Sequence, residues 1–457
     1  MLTPLITTPI LSRALGAEKL GIYSATLAYV NYFTLFAMLG IENHGNRSIA
    51  ATNHDSEKQS KVFINIYAIQ FFTSIIALVI YFISLLFISK DRCMIAAIQG
   101  LWLLSSVFNI NWFFFGTERF KVTVTRSIIL KIISILLIIL FVHKPDDIYI
   151  YALIIVSENV LSNVVLWLCL KKEIKFIKPS FSLIKENISP VLVLFIPIAA
   201  MSVYHIMDKT MLDIFSNETE VGYYYSADKM INIPLGMINA LGTVMLPRIS
   251  NIISKGKEQD VRIMLQKSTE LMLFLSGAIG IGIASVAKEF VPLFFGQEFT
   301  PCIQLVYWFV PVLFFKAISD LIRTQYMIPA HKDKFYIMAV GIGAFSNLIC
   351  NIIFIPKFSA LGAVFGTLIA ESVVAIIEIL FSAKEIPFLK YIFNNSLYLI
   401  FGLIMFLVIR ICSDRIQMSI LLKIISLVLI GGFVYMASCA VYWKIQKHSI
   451  FHSYVSK

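Results

Sequence analysis

Residues Leu15–Ala50 read LGAEKLGIYSATLAYVNYFTLFAMLGIENHGNRSIA, and residues Thr219–Ser250 read TEVGYYYSADKMINIPLGMINALGTVMLPRIS. Gly21 and Tyr23 answer to Gly222 and Tyr224, Ser24-Ala25 to Ser226-Ala227, Leu39-Gly40 to Leu241-Gly242, and Arg47 to Arg248, at an offset of 201 or 202 throughout. So many features in one order at one offset mark an internal duplication, which constrains the architecture before any single helix is placed. In each copy a glycine–tyrosine entry leads into an apolar helix that ends at Leu-Gly and is followed by an arginine. Further along, Ser157-Glu158-Asn159-Val160 is echoed by Ala370-Glu371-Ser372-Val373 at an offset of 213. An insertion of about a dozen residues in the second half accounts for the drift.

Composition settles the class. Of 457 residues, 58% are hydrophobic and 14% charged, with a mean hydropathy of +0.83. Soluble domains carry about 25% charged residues. The apolar runs are continuous rather than alternating, which predicts helices and not a β-barrel. The six cysteines (Cys93, Cys169, Cys302, Cys350, Cys412, Cys439) are scattered and form no metal or redox motif. The N-terminus has no basic segment and no small-residue cleavage site, so no signal peptide is expected.

Taking ~20 apolar residues per span, the chain reads as an all-α integral membrane protein of about fourteen helices. Six helices repeat as six, in a parallel repeat with a pseudo-two-fold axis along the membrane normal. The expected organisation is 1–175 for the N-terminal six-helix lobe, with a short first helix, and 185–385 for the second lobe. Helices 13 and 14 follow over 390–445, then a cytoplasmic tail, 446–457. Loops after even-numbered helices, with the tail, hold 24 Lys and Arg; the other loops hold nine, balanced by as many acids. Both termini are therefore expected in the cytoplasm. The net charge of +11 is explained by this orientation, and no nucleic-acid partner is expected. No loop is long enough for a soluble catalytic domain, which needs about 50 residues. There is no phosphate-binding loop, zinc helix, nucleophile elbow or cluster of metal ligands. The reading is a non-enzyme without cofactor, whose function lies among its helices.

Charge inside a span is costly and marks a partner or a cavity. Helix 7 carries Asp208-Lys209 and helix 8 carries Asp228-Lys229, each about ten residues, or ~15 Å, from the turn between them. The spacing brings both to one depth. They form either a structural pair pinning the helices or a charged layer lining a cavity. The first repeat has Thr7, Thr8 and Thr26 at that depth. Glu158 and Glu371, at equivalent repeat positions, are candidate proton carriers or neutral carboxyls bonded to a neighbouring helix. Lys316 and Asp320 make an i,i+4 pair with Arg323 next. Arg13, Arg47 and Arg248, at helix ends, are either phosphate clamps or interfacial anchors.

These residues also carry a family resemblance. PILSRALGAEKLGIYSATLAYVNYFTLFAMLGIENHGNRSIA, the passage MDKTMLDIFSNETEVGYYYSADKMINIP and the following VMLPRIS resemble the Wzx-type flippases of O-antigen and related polysaccharide repeat units. Their wider superfamily includes multidrug–cation antiporters and lipid-precursor flippases. The likeness covers most of Pro9–Phe381. It implies a V-shaped, MATE-like transporter with alternating access. Its substrate would be an undecaprenyl-diphosphate-linked oligosaccharide, moved from the cytoplasmic to the periplasmic face of the bacterial inner membrane. A polymerase and a chain-length regulator of the same pathway would be partners, besides membrane lipids. Arg13, Asp208, Lys209, Asp228 and Lys229 match polar positions of the family pattern. The chain departs from that pattern at its start, where fewer residues precede Pro9 than a full first helix needs. A multidrug antiporter of the same fold, a membrane polymerase and a scaffold without transport are the alternatives. The short loops argue against the second, the duplication against the third.

Overall fold

The computed structural model describes residues 3–52, 55–170, 173–175 and 177–445; the expected tail, 446–457, lies outside the described residues. Every regular element described is helical. Among the described residues, ten helical segments are long and apolar enough to cross a membrane, or eleven with the bent pair Glu218–Ala240 and Met245–Ile253. Two of the ten are fused spans. In α1 (Thr3–Met38) two helices meet at Gly16, φ 75°, ψ 174°, a backbone region open in practice only to glycine. In α13 (Asp333–Ser382) two helices meet at Ser359, φ 49°. Dividing the chain at those two residues, and counting the 35-residue α8 (Phe181–Phe215), recovers the fourteen helices. This is a multi-pass, all-helical membrane protein.

Packing divides the chain into two units, Leu2–Gly222 and Tyr223–Lys457. In the first, α1 is followed by α2 (Ile41–Ala50), α3 (Ser56–Ser84), α4 (Lys90–Phe108), α5 (Asn111–Gly116), α6 (Phe120–Phe141), α7 (Ile148–Leu170) and α8. Asp55 starts α3 by accepting from the backbone N–H groups of Glu57 and Lys58 at 3.0 and 3.2 Å, which satisfies two of the helix's orphan donors. The short helices α2 and α5 pack through Gly45 against Trp112 and through Gly116 against Ile49. Trp112, Phe63, Phe113 and Phe114 form the core there. The Trp112 indole N–H donates to Gln70 Oε1 at 2.9 Å, and Gln70 in turn donates to the carbonyls of Ser106 and Asn109. Helix α8 packs on α1, α2 and α3.

The duplicated glycines have a shared structural use. The first residues of α9 (Glu218–Ser254) run against α1. A Cβ added to Gly21 would lie 1.7 Å from the Glu218 carbonyl oxygen, and one on Gly222 would lie 1.9 Å from that of Ala17. Backbone meets backbone at this crossing, an approach only glycine permits. Beside it Arg92 spans two acids, bonding Asp213 at 2.7 Å and Glu218 at 2.6 Å.

The second unit contains α10 (Glu258–Ser276), α11 (Gly282–Phe295), α12 (Cys302–Ile322), α13, α14 (Phe388–Asn394), α15 (Leu397–Arg415) and α16 (Ile420–Ile445). Two π-helical segments, Gly277–Ile281 and Arg323–Met327, interrupt it. Buried polar contacts hold α15 and α16 to α10 and α11. Arg410 donates to both oxygens of Glu289 at 2.8 and 3.2 Å, and Ser413 donates to the same carboxylate. Tyr398 donates to Glu270 at 2.9 Å and accepts from the Trp443 indole at 2.8 Å. At the end of the second π segment Lys332 pairs with Glu385, and Tyr326 donates to that carboxylate at 2.7 Å. The Lys332 ammonium, with Tyr326, holds the Glu385 carboxyl below the usual glutamate range.

Two outcomes follow from this packing. Gly21→Ala and Gly222→Ala each place a methyl against a carbonyl that no rotamer change can move, at a cost of about 1–3 kcal/mol or more. Thermal melting in detergent should fall for both and stay unchanged for Gly341→Ala, whose added Cβ meets nothing within 4 Å. A carboxyl held below its ordinary pKa contributes stability above the unfolded value and loses it as pH falls through the folded value. Hydrogen-exchange protection of residues 383–387 should therefore drop as pH is lowered through the carboxylate range. In Glu385→Gln it should be lower at neutral pH and lack that dependence.

Candidate functional site

The charged residues expected at the site fall on both sides of the unit boundary. In the first unit Asp208 is 5% exposed on α8, close to Tyr32 of α1, while Lys209 is half-buried beside it. Arg13 is exposed on α1 just before the break at Gly16, and Arg47 is exposed on α2. Glu158, half-buried on α7, accepts a hydrogen bond from the Ser134 hydroxyl of α6 at 2.7 Å.

In the second unit Asp228 and Lys229 are half-buried on α9. The Lys229 ammonium stands 4.2 Å from the centroid of the Tyr225 ring, a cation–π geometry. Asn232 donates to Asp228 at 2.7 Å. Arg248 is exposed further along the same helix, and Glu371 is 5% exposed on α13.

A constellation that sequence spacing did not isolate lies deeper in this unit. A cavity of about 250 Å³ opens between α9, α10 and α12, lined by Asn239, Gly242, Lys267, Asp320, Arg323 and Gln325 among others. Asp320 is its hub, accepting from the Asn239 amide and pairing with Arg323. The expected i,i+4 partner was Lys316; the pair found is with Arg323, three residues on. Arg323 opens the π segment, and the extra residue in that turn re-aims side chains relative to a regular helix. Its guanidinium also lies 5.7 Å from the Tyr336 ring centroid. Gln325 is buried with its carbonyl oxygen unpartnered, and the Thr324 hydroxyl would lie 2.8 Å from a Cβ on Gly242. Gly242, part of the duplicated Leu-Gly signature, thus leaves space where this wall of the cavity is tightest.

Glu378 lies nearby, fully buried on α13, facing Ser319, Asp320 and Arg323. It follows Glu371 by seven residues, two helical turns, so the two carboxyls share a helix face. That interval was readable in the sequence, but it points to a site only once Asp320 and Arg323 are known to lie against that face. The arrangement can hold charge and protons away from lipid, beside a cavity large enough for several waters.

Similarity to known proteins is consistent with these elements. A protein of Escherichia coli (strain K12) named "Putative O-antigen transporter" is 24% identical over 392 residues, covering 83% of this chain and 92% of that protein. The solved structure of lipid II flippase MurJ in an inward closed conformation matches with a TM-score of 0.74 at 17% identity, over 97% of this chain and 96% of that one. An inward-facing multidrug resistance MATE family transporter of the MOP superfamily matches with a TM-score of 0.65 at 16% identity, over 85% and 95%. The chain therefore has a MATE-like fold. The family described as polysaccharide biosynthesis protein matches residues 1–253, more than half of the sequence, and the chain belongs to that family.

Proposed function

We propose that this protein is a lipid-linked glycan flippase. It moves polyprenyl-diphosphate-linked oligosaccharide repeat units, of the O-antigen or capsule type, from the cytoplasmic to the periplasmic face of the bacterial inner membrane by alternating access. The observation that carries the reading is charge held within helices. Asp208 is buried, and Lys209, Asp228 and Lys229 are half-buried, in a chain that matches over most of its length a protein named "Putative O-antigen transporter". Hydrocarbon disfavours such charges by roughly 2.5–3.5 kcal/mol or more each at the centre, so they are retained where a polar cargo passes. A diphosphate needs cationic groups; Lys209 and Lys229 supply them within the membrane, and Arg13, Arg47 and Arg248 supply bidentate donors at helix ends. An apolar pocket of about 610 Å³ lined by Leu273, Phe314, Phe315, Leu399 and Phe406 suits a prenyl chain, whose solvation requires only apolar contact.

The rival within the same fold is a multidrug antiporter. A site for cations wants net negative charge, whereas each Asp-Lys doublet sums to zero, which favours an anionic, hydroxyl-rich cargo. Glu158 and Glu371 are the proposed coupling carboxyls.

In a strain lacking its own flippase, Lys209→Gln and Lys229→Gln should each abolish surface glycan at normal membrane abundance. Full activity in both single variants would remove the cavity role, and drug resistance without glycan export would favour the antiporter. A fluorescent reporter on either terminus should light up in the cytoplasm, and an alkaline phosphatase fused there should be inactive; the reverse pattern overturns the orientation.

A further inference from the structure

We propose that Glu378 is a proton-binding site that couples transport to a proton gradient, working with Glu371 and communicating with solvent through the cavity at Asp320 and Arg323. This rests on the transporter reading and extends its coupling carboxyls, Glu158 and Glu371, to a residue outside the substrate groups.

Glu378 has no exposed surface, and neither carboxyl oxygen has a hydrogen-bond partner. A buried polar atom is almost always bonded, and an ionised carboxylate without donors is the least tolerable case. The uncharged acid is the form that fits this packing. The Ser319 hydroxyl and the Arg323 charge are near enough to relieve it in part, but neither reaches a carboxyl oxygen in hydrogen-bonding geometry. The Ser382 hydroxyl, one turn on, donates to the Glu378 backbone carbonyl at 2.7 Å. Ser319 and Asp320 face it from α12, Arg323 from the π segment, Tyr336 from the first helix of α13, and Glu371 from its own helix. Arg323 is the one cation among these, and it is engaged with Asp320.

Those contacts define a two-position device. In the arrangement seen, Arg323 pairs with Asp320; the proposal places a proton on Glu378. When the Glu378 O–H bond breaks, its electron pair stays on the oxygen and the proton leaves for solvent through the cavity. The new carboxylate then draws Arg323, and Asp320 takes up a proton or keeps the Asn239 amide as its donor. The π segment is suited to such a change, because its surplus residue can be passed along the helix without breaking it. Glu371, two turns away at ~10 Å, with Thr367 another turn beyond, continues the polar face. Thr367 is in contact with the Tyr224 hydroxyl at 3.2 Å, so the face reaches the duplicated Gly-x-Tyr motif.

A metal ion fits less well. Hard cations take six or more oxygens at about 2.0–2.6 Å, two carboxyls two turns apart cannot share one ion, and no group of three metal-ligating side chains occurs among the described residues.

The test uses the full-length protein in liposomes with two readouts. The first is infrared difference spectroscopy across a pH step without substrate. The wild type should show the carbonyl band of a buried carboxylic acid appearing and disappearing, Glu378→Gln should lose it, and Glu378→Asp should retain it shifted. The second is translocation of a synthetic fluorescent polyprenyl-diphosphate disaccharide with and without an imposed pH gradient. The gradient should accelerate the wild type, lose its effect in Glu378→Gln, and regain part of it in Glu378→Asp. An unchanged band in Glu378→Gln, or acceleration by a sodium gradient in place of a pH gradient, overturns the proposal. If the wild type moves no disaccharide yet Glu378 supplies the band, the flippase reading fails while the proton site stands.

Discussion

A charge inside a hydrocarbon slab has no water to turn to, so it must be answered by the protein. The same rule of answered charge holds at the helix ends and in the packed interior of this structure. Arg92 is answered by Asp213 and Glu218, and that clasp lies next to the crossing of α1 with α9. Glu289 is answered by Arg410, with Lys423 3.9 Å away, and this contact docks the last two helices. Asp320 is answered by Arg323 and Asn239, and that pair lines a cavity. The same rule makes Glu378 conspicuous, since it is buried as deeply and answered by nothing in hydrogen-bonding geometry.

Between these polar fastenings, helix contact depends on how closely backbones can approach. Apolar side chains gain little from one another in lipid, so association relies on packing and small residues. Gly21 and Gly222 bring α1 and the start of α9 to backbone contact, while Gly45 makes room for the Trp112 ring and Gly116 for Ile49 where α2 meets α5. Gly16 lets one helix end and the next begin with no loop between them. The two π segments lie at the docking surface for α15 and at the edge of the cavity, positions where a helix gains from redirecting side chains without ending.

How far the sequence could be read depended on the range of the interaction. Continuous apolar runs gave membrane helices in nearly the right number, because burial in lipid is decided locally by each segment's own composition. The balancing of acids and bases outside the basic loops was also legible, and Arg92, Glu289 and Arg410 show that part of this balance is contact and not averaging. Asp320 pairs with Arg323, three residues on, and not with Lys316, four residues before; both spacings put two side chains on one helix face, and the sequence does not say which neighbour is taken. Glu378 was passed over because seven residues from Glu371 means one face of one helix, and says nothing of what that face meets.

The sequence by itself determined an all-helical membrane protein with a duplicated core, and it singled out the Asp-Lys doublets at Asp208 and Asp228 as candidates. It did so because hydropathy and repetition are properties of a segment. Only the tertiary structure decided that the duplicated glycine Gly21 sits against Gly222, that α8 packs on α1 to α3, and that Asp320, Arg323 and Glu378 form one cluster. Those facts depend on which helix faces which, and for transmembrane helices that choice is made by close packing and by pairing of buried charge, across stretches of chain that no local pattern connects.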